Sequence, residues 1–175
     1  MRRTVLPVAA VMSAVAALIG ATLAWAAPSH RQVVMLDACD GPSFNAAIGE
    51  GTCTRPGGVP FETFIGQLLK HGTAPAWRFA PGQAKLEAGG SITAPNLGGE
   101  FHTFTEVAEF GGGCVDELNA LLGLTPVPEC AQAPGIFFTT GAAPGGTVAT
   151  GALDAGTHKF LCLIHPWMRA TVTVG

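Results

Sequence analysis

The chain has 175 residues and a formal charge of −3, with nine basic residues scattered among twelve acidic ones. That balance excludes the basic face with which nucleic-acid-binding proteins displace counterions. The length fits a leader plus one domain with a single core, and 24 glycines and 13 prolines favour short strands and turns over long helices.

The first stretch reads as a leader. Arg2 and Arg3 form a positive start, Val8–Ile19 is an apolar core, and Ala24-Trp-Ala26 offers a small-residue cleavage site. The rival is an uncleaved anchor, since Val5–Ala24 is long enough to span a bilayer. Residues 1–26 are taken as a signal peptide, which makes the mature protein secreted, periplasmic or cell-surface, with no stable membrane insertion. Removing them takes away two arginines and no acid, so the charge goes from 9 − 12 to 7 − 12, or −5.

Residues 27–76 read as an N-terminal extension. Val33–Leu36 suits a short strand and Phe44–Ile48 one helical turn. Phe61, Phe64, Ile65, Leu68 and Leu69 then form one apolar stripe at helical spacing, which predicts a helix over 61–71. Pro60 starts it and Gly72 stops it. From Trp77 the pattern changes to period two with glycine and proline punctuation. Strands are predicted at Trp77–Ala80, Ala84–Glu87, Ser91–Ala94, Phe101–Val107, Gly135–Thr139, Thr147–Thr150, Thr157–Leu161 and Ala170–Val174, and a short helix at Val115–Leu122. Within Phe101–Val107 the alternation puts His102, Phe104 and Glu106 on one face.

Five cysteines in an exported chain leave one thiol over. Four cysteines allow three connectivities. Pairing neighbours gives 39–53 and 114–130, each closing a loop of about 15 residues worth roughly 3 kcal/mol in the chain-entropy model. The remaining thiol is Cys162, and it heads Cys162-Leu-Ile-His165-Pro-Trp-Met168. This C-x2-H-x2-M run lies on one loop between two strands. A thiolate, an imidazole and a weak thioether select copper over the oxygen-seeking Mg²⁺ and Ca²⁺. A second imidazole must come from elsewhere. His30 lies near the cleavage site, His71 closes the helix, and His158 on a strand sits about 13 Å from Cys162. His102, in the glycine-flanked Gly98-Gly-Glu-Phe-His102-Thr-Phe-Thr, is the leading candidate, with Thr103 placed to brace the Cys162 loop.

With these residues in view, the stretch Trp77–Gly175 resembles the cupredoxins, the plastocyanin- and amicyanin-like small blue copper proteins. The likeness is carried by Gly156–Met168 and by the run from Ile92 through Asn96 to His102-Thr-Phe-Thr. It implies an all-β, Greek-key β-sandwich over 77–175, preceded by the helix-bearing extension and interrupted by a short helical insertion. It also implies one mononuclear type 1 copper held by His102, Cys162, His165 and Met168, and single-electron transfer between protein redox partners by a monomer. On the same resemblance, electrons pass through His165 and Trp167 belongs to an apolar docking patch. Glu100, Glu106, Glu109, Asp116 and Glu117 form a solvated face able to steer a basic partner. The chain departs from the family in its extension, its 114–130 insertion, and His158 where many members have tyrosine. No His-x-His pair suggests a copper oxidase, and a cysteine–histidine hydrolase would draw its pair from separate segments, so the chain reads as a non-enzyme. Its rivals are a copper carrier or scavenger with the same ligands and a metal-free interaction module.

Overall fold

The computed structural model describes residues 29–175; the signal peptide expected over 1–26 lies outside the described residues. In chain order the elements are β1 (His30–Gln32), β2 (Val34–Leu36), α1 (Gly41–Ala47), α2 (Phe61–His71), β3 (Arg78–Ala80), β4 (Gln83–Leu86), β5 (Ser91–Pro95), β6 (His102–Thr103), β7 (Thr105–Val107), α3 (Asp116–Leu122), α4 (Gly135–Thr140), β8 (Gly141–Ala142), β9 (Thr147–Ala149), β10 (Gly156–Leu161) and β11 (Arg169–Val174). Two principal sheets form, one ordered β1-β5-β9 and the other β4-β11-β10-β7, with small pairs β2-β3 and β6-β8 beside them. From β4 onward the chain passes back and forth between the principal sheets before closing on the antiparallel pair β10–β11, registered from Gly156 opposite Val174 to Leu161 opposite Arg169.

Period-two patterning produces this sandwich. On β11 Ala170, Val172 and Val174 are buried while Arg169 and Thr173 face out. The inward residues meet Ile92 and Ala94 of the opposite sheet in one core that also holds the stacked Phe104–Phe160 pair, ring centres 4.3 Å apart. The architecture is thus the β-sandwich with helical insertions that the resemblance implied.

The extension belongs to the same body. β1 pairs in parallel with β5, and β2 pairs with β3 across the sequence boundary at Trp77. Helix α2 has the expected limits, with Gly72 at φ 68° turning the chain at its end. Its stripe buries Phe64 and Leu68 against Trp77 and Phe44, whereas Leu69, 67% exposed, falls outside the packed face. Asp40 caps α1 by accepting the Ser43 N–H, and the Ser43 hydroxyl accepts the Phe61 N–H that opens α2. Both expected disulfides are present, Cys39–Cys53 and Cys114–Cys130, and Cys162 is free.

Two strand expectations are corrected. Gly135–Thr139 is helical: Ile136 and Phe137 turn inward, Phe138 is 86% exposed, and the Thr139 and Thr140 hydroxyls both bond the Ile136 carbonyl. Packing of one helical face overrides the β preference of the aromatic run. The segment Phe101–Val107 is likewise not one strand. It breaks at Phe104, whose N–H goes to the Thr140 carbonyl, so that His102 through Thr105 are all buried.

Leu68 is 1% exposed in the contact between α2 and the sandwich. Leu68→Ala should cost about 2–5 kcal/mol in denaturant unfolding, while Leu69→Ala should change stability by less than about 0.5 kcal/mol.

Candidate metal centre

The loop 162–168 is a closed turn on the end of β10. The Cys162 N–H donates to the Met168 carbonyl at 3.1 Å and the Met168 N–H to the His165 carbonyl at 2.8 Å, which brings all three side-chain bearers onto one small loop. Thr103 on β6 holds this loop from the side. Its hydroxyl accepts the Leu163 N–H at 2.8 Å, and its own N–H points at the Cys162 sulfur at 3.5 Å. The insertion holds the other side, where Cys114 N–H donates to the Leu163 carbonyl and a Cβ on Gly113 would strike that same carbonyl.

His102 arrives by way of Asn96. Its side-chain amide donates to the Glu100 and Ala142 carbonyls at 2.7 and 2.9 Å, and its oxygen accepts the Gly98 N–H at 2.9 Å. That rigid turn feeds β6, so the expected partnership of a distant imidazole with the loop is realised in space. His102 Nδ1 and His165 Nδ1 lie 3.2 Å apart, and they are 3.8 and 3.7 Å from Cys162 Sγ. The circle through these three atoms has a radius of about 2.1 Å, the length of a metal–imidazole or metal–thiolate bond. One ion therefore fits all three donors at once. Met168 is fully buried on the same loop. The other histidines are elsewhere: His30 bonds Ser91 and Thr93, and His158 bonds Glu106 and the Asp154 carbonyl.

Two buried carboxylates back the imidazoles. Asp37 Oδ2 receives His102 Nε2 at 2.8 Å, and Glu100 Oε2 stands 3.8 Å from His165 Nε2 while accepting the Trp77 indole N–H. Sequence reasoning missed Asp37 and misread Glu100. Glu100 is 5% exposed, so it is no part of a solvated acidic face; Glu106, Glu109, Asp116 and Glu117 are exposed as expected. A signal for Asp37 existed: it continues the buried alternation Val33, Met35, Asp37, Cys39. His165 is only 3% exposed and lines a cleft of about 540 Å³ with Phe44, Phe64, Ile65, Leu118 and Leu121 from α1, α2 and α3. Trp167 is half-buried between His165 and Phe64, with ring centres at 5.4 and 5.8 Å.

The electrostatics follow from burial and pairing. Burial pushes the Cys162 thiol up, but the hydrogen-bonding imidazoles of His102 and His165 hold it well below its ordinary value. Burial pushes His102 down, yet Asp37 and the thiolate raise it to about 9. Burial raises Asp37 too, and the hydrogen bond from His102 with three backbone N–H groups outweighs it, holding the carboxyl well below the carboxylate range. Burial raises Glu100, only partly offset by His165 and Trp77.

Neither a protein-family model nor a curated protein matches the chain. Among solved structures it is similar to a purple cupredoxin from Nitrosopumilus maritimus, at 13% identity and a TM-score of 0.41, covering 83% of this chain and 99% of that one. It is also similar to pseudoazurin from Hyphomicrobium denitrificans (17%, TM-score 0.40, covering 84% and 76%) and to oxidized plastocyanin from Dryopteris crassirhizoma (19%, TM-score 0.37, covering 57% and 89%).

The opposite shifts of Cys162 and His102 have a defined pH signature in the metal-free protein. His102, raised to about 9, contributes stability that is fully present below about 6.5 and is lost as pH rises through about 9. Cys162, held below its ordinary value, contributes stability that is present above that ordinary value and is lost as pH falls through its lowered one. In Cys162→Ala only the first contribution remains, since the Asp37 hydrogen bond still raises His102, so denaturant midpoints should fall as pH rises from about 6.5 to about 9.

Proposed function

We propose that this chain is an exported type 1 copper protein that carries single electrons between protein redox partners, with His102, Cys162, His165 and Met168 as ligands. The observation that carries the reading is the convergence of two imidazole Nδ1 atoms and one free thiol at single-ion spacing, with Met168 buried on the same loop. Thiolate and imidazole with a thioether suit copper, which bound here supplies a one-electron couple. The protein's part is to hold the donors still. Thr103, Asn96 and the loop's own hydrogen bonds fix them before any ion arrives, so little need move when charge changes. Buried Pro166 and half-buried Ile164 and Trp167 exclude water.

The same enclosure favours an electron carrier over a carrier or scavenger of ions. All three donor residues are at most 3% exposed, which suits retention more than rapid exchange. Because His165 lies under the cleft between α1, α2 and α3, a partner would reach it with a projecting apolar group seated there, flanked by Glu117. Export is supported by the leader pattern of 1–26 and by two disulfides, which persist in oxidising compartments. Among the described residues no helix is long and apolar enough to cross a membrane.

Loading the mature chain with Cu(II) should give one copper per chain and intense visible absorption from sulfur-to-copper charge transfer, lost in Cys162→Ser. A colourless, fast-exchanging adduct would transfer the assignment to an ion carrier, and no binding would leave an interaction module.

A further inference from the structure

Asp37 comes from the extension, outside the stretch that resembles small copper proteins, yet its carboxylate lies against the candidate centre and is wholly enclosed. Its Oδ2 receives His102 Nε2 at 2.8 Å and the N–H groups of Gly99 and Glu100 at 2.8 and 3.0 Å. Its Oδ1 receives the N–H groups of Cys39 and Gly99 at 3.1 and 3.0 Å. The four backbone contacts are all from donors, which an ionised, acceptor-only carboxylate satisfies without leftover hydrogens. His102 Nε2 must then carry a hydrogen, so the nitrogen free to bind an ion is Nδ1, the atom that faces Cys162 and His165. The local sequence is shaped for this contact. A Cβ on Gly98 would overlap the Asp37 carboxylate, a Cβ on Gly99 would overlap Arg55 and the Cys39 sulfur, and the Cys39–Cys53 bridge anchors the strand end two residues away.

We infer that Asp37 is a positioning residue of the metal centre, a buried carboxylate that fixes the His102 tautomer, strengthens that imidazole as a donor, and favours the oxidised over the reduced ion. The inference rests on the copper reading above. A carboxylate behind a ligating imidazole raises its basicity, and a fixed negative charge in a water-poor interior stabilises the more positive ion. The two imidazoles are therefore unequal, since His165 has its nearest carboxylate at 3.8 Å, beyond hydrogen-bond reach.

Asp37→Asn keeps the shape and removes the charge. Cu(II) affinity of the full mature chain should weaken by about 10–100-fold and Cu(I) affinity by less. The reduction potential should rise, by about 59 mV for each tenfold difference between the two losses. Equal losses with an unchanged potential would reduce Asp37 to a structural role and overturn the inference. Because Asn at this position can also loosen the fold, ¹⁵N NMR of the metal-free wild-type chain provides a second reading. A slowly exchanging, hydrogen-bonded Nε2 proton on His102 is expected, and its absence overturns the inference outright. If the wild type takes up no copper but shows this proton, the copper reading fails while the positioning of His102 by Asp37 stands.

Discussion

Three donor atoms from segments sixty residues apart, gathered where water does not reach, are the constraint on which the rest of the structure depends. Two imidazoles and a thiol buried together cost free energy unless their polar atoms are satisfied. Here the three lie within 3.2–3.8 Å of one another, and the surroundings keep that set assembled. Thr103 ties β6 to the loop, Asn96 fixes the turn that delivers His102, and the β10–β11 hairpin carries the loop on a rigid stem. These contacts are all made by the chain itself, so its own hydrogen bonds gather the three side chains.

The residues before Trp77 change meaning once seen in place. They supply a strand to a principal sheet, an aromatic cluster against Trp77, the carboxylate behind His102, and two of the helices walling the cleft above His165. The path from extension to metal loop is a contiguous run of rings: Phe44 and Phe64 meet Trp77, Phe64 meets Trp167, and Trp167 meets His165. Helices α1, α2 and α3 wall one approach to His165, and Phe101, Ala143 and Pro144 line a second cleft that also reaches it.

Much of this was legible in the sequence because the relevant signals are local. The C-x2-H-x2-M spacing, the stripe of α2 and the alternation of β11 are each written within a dozen residues, and the odd cysteine needs only a count. His102 was found by elimination among five histidines, and the structure places its Nδ1 beside the Cys162 sulfur. What escaped depended on tertiary contact. Gly135–Thr139 carries strand-forming residues, and the half-burial of Ile136 and Phe137 beside an exposed Phe138 goes with a helix instead. Glu100 reads as a surface charge until Trp77, 23 residues back along the chain, closes over it. Asp37 sat in plain view inside an apolar alternation, but its partner lies 65 residues downstream and no periodicity names it.

The central claim is that one ion is shared by Cys162, His102 and His165, and X-ray absorption at the copper edge of the loaded mature chain tests it most directly. The account predicts a single short copper–sulfur distance and two copper–nitrogen distances, all within about 2.0–2.3 Å. A shell made only of nitrogen and oxygen, or one with two equally short sulfurs, would contradict it.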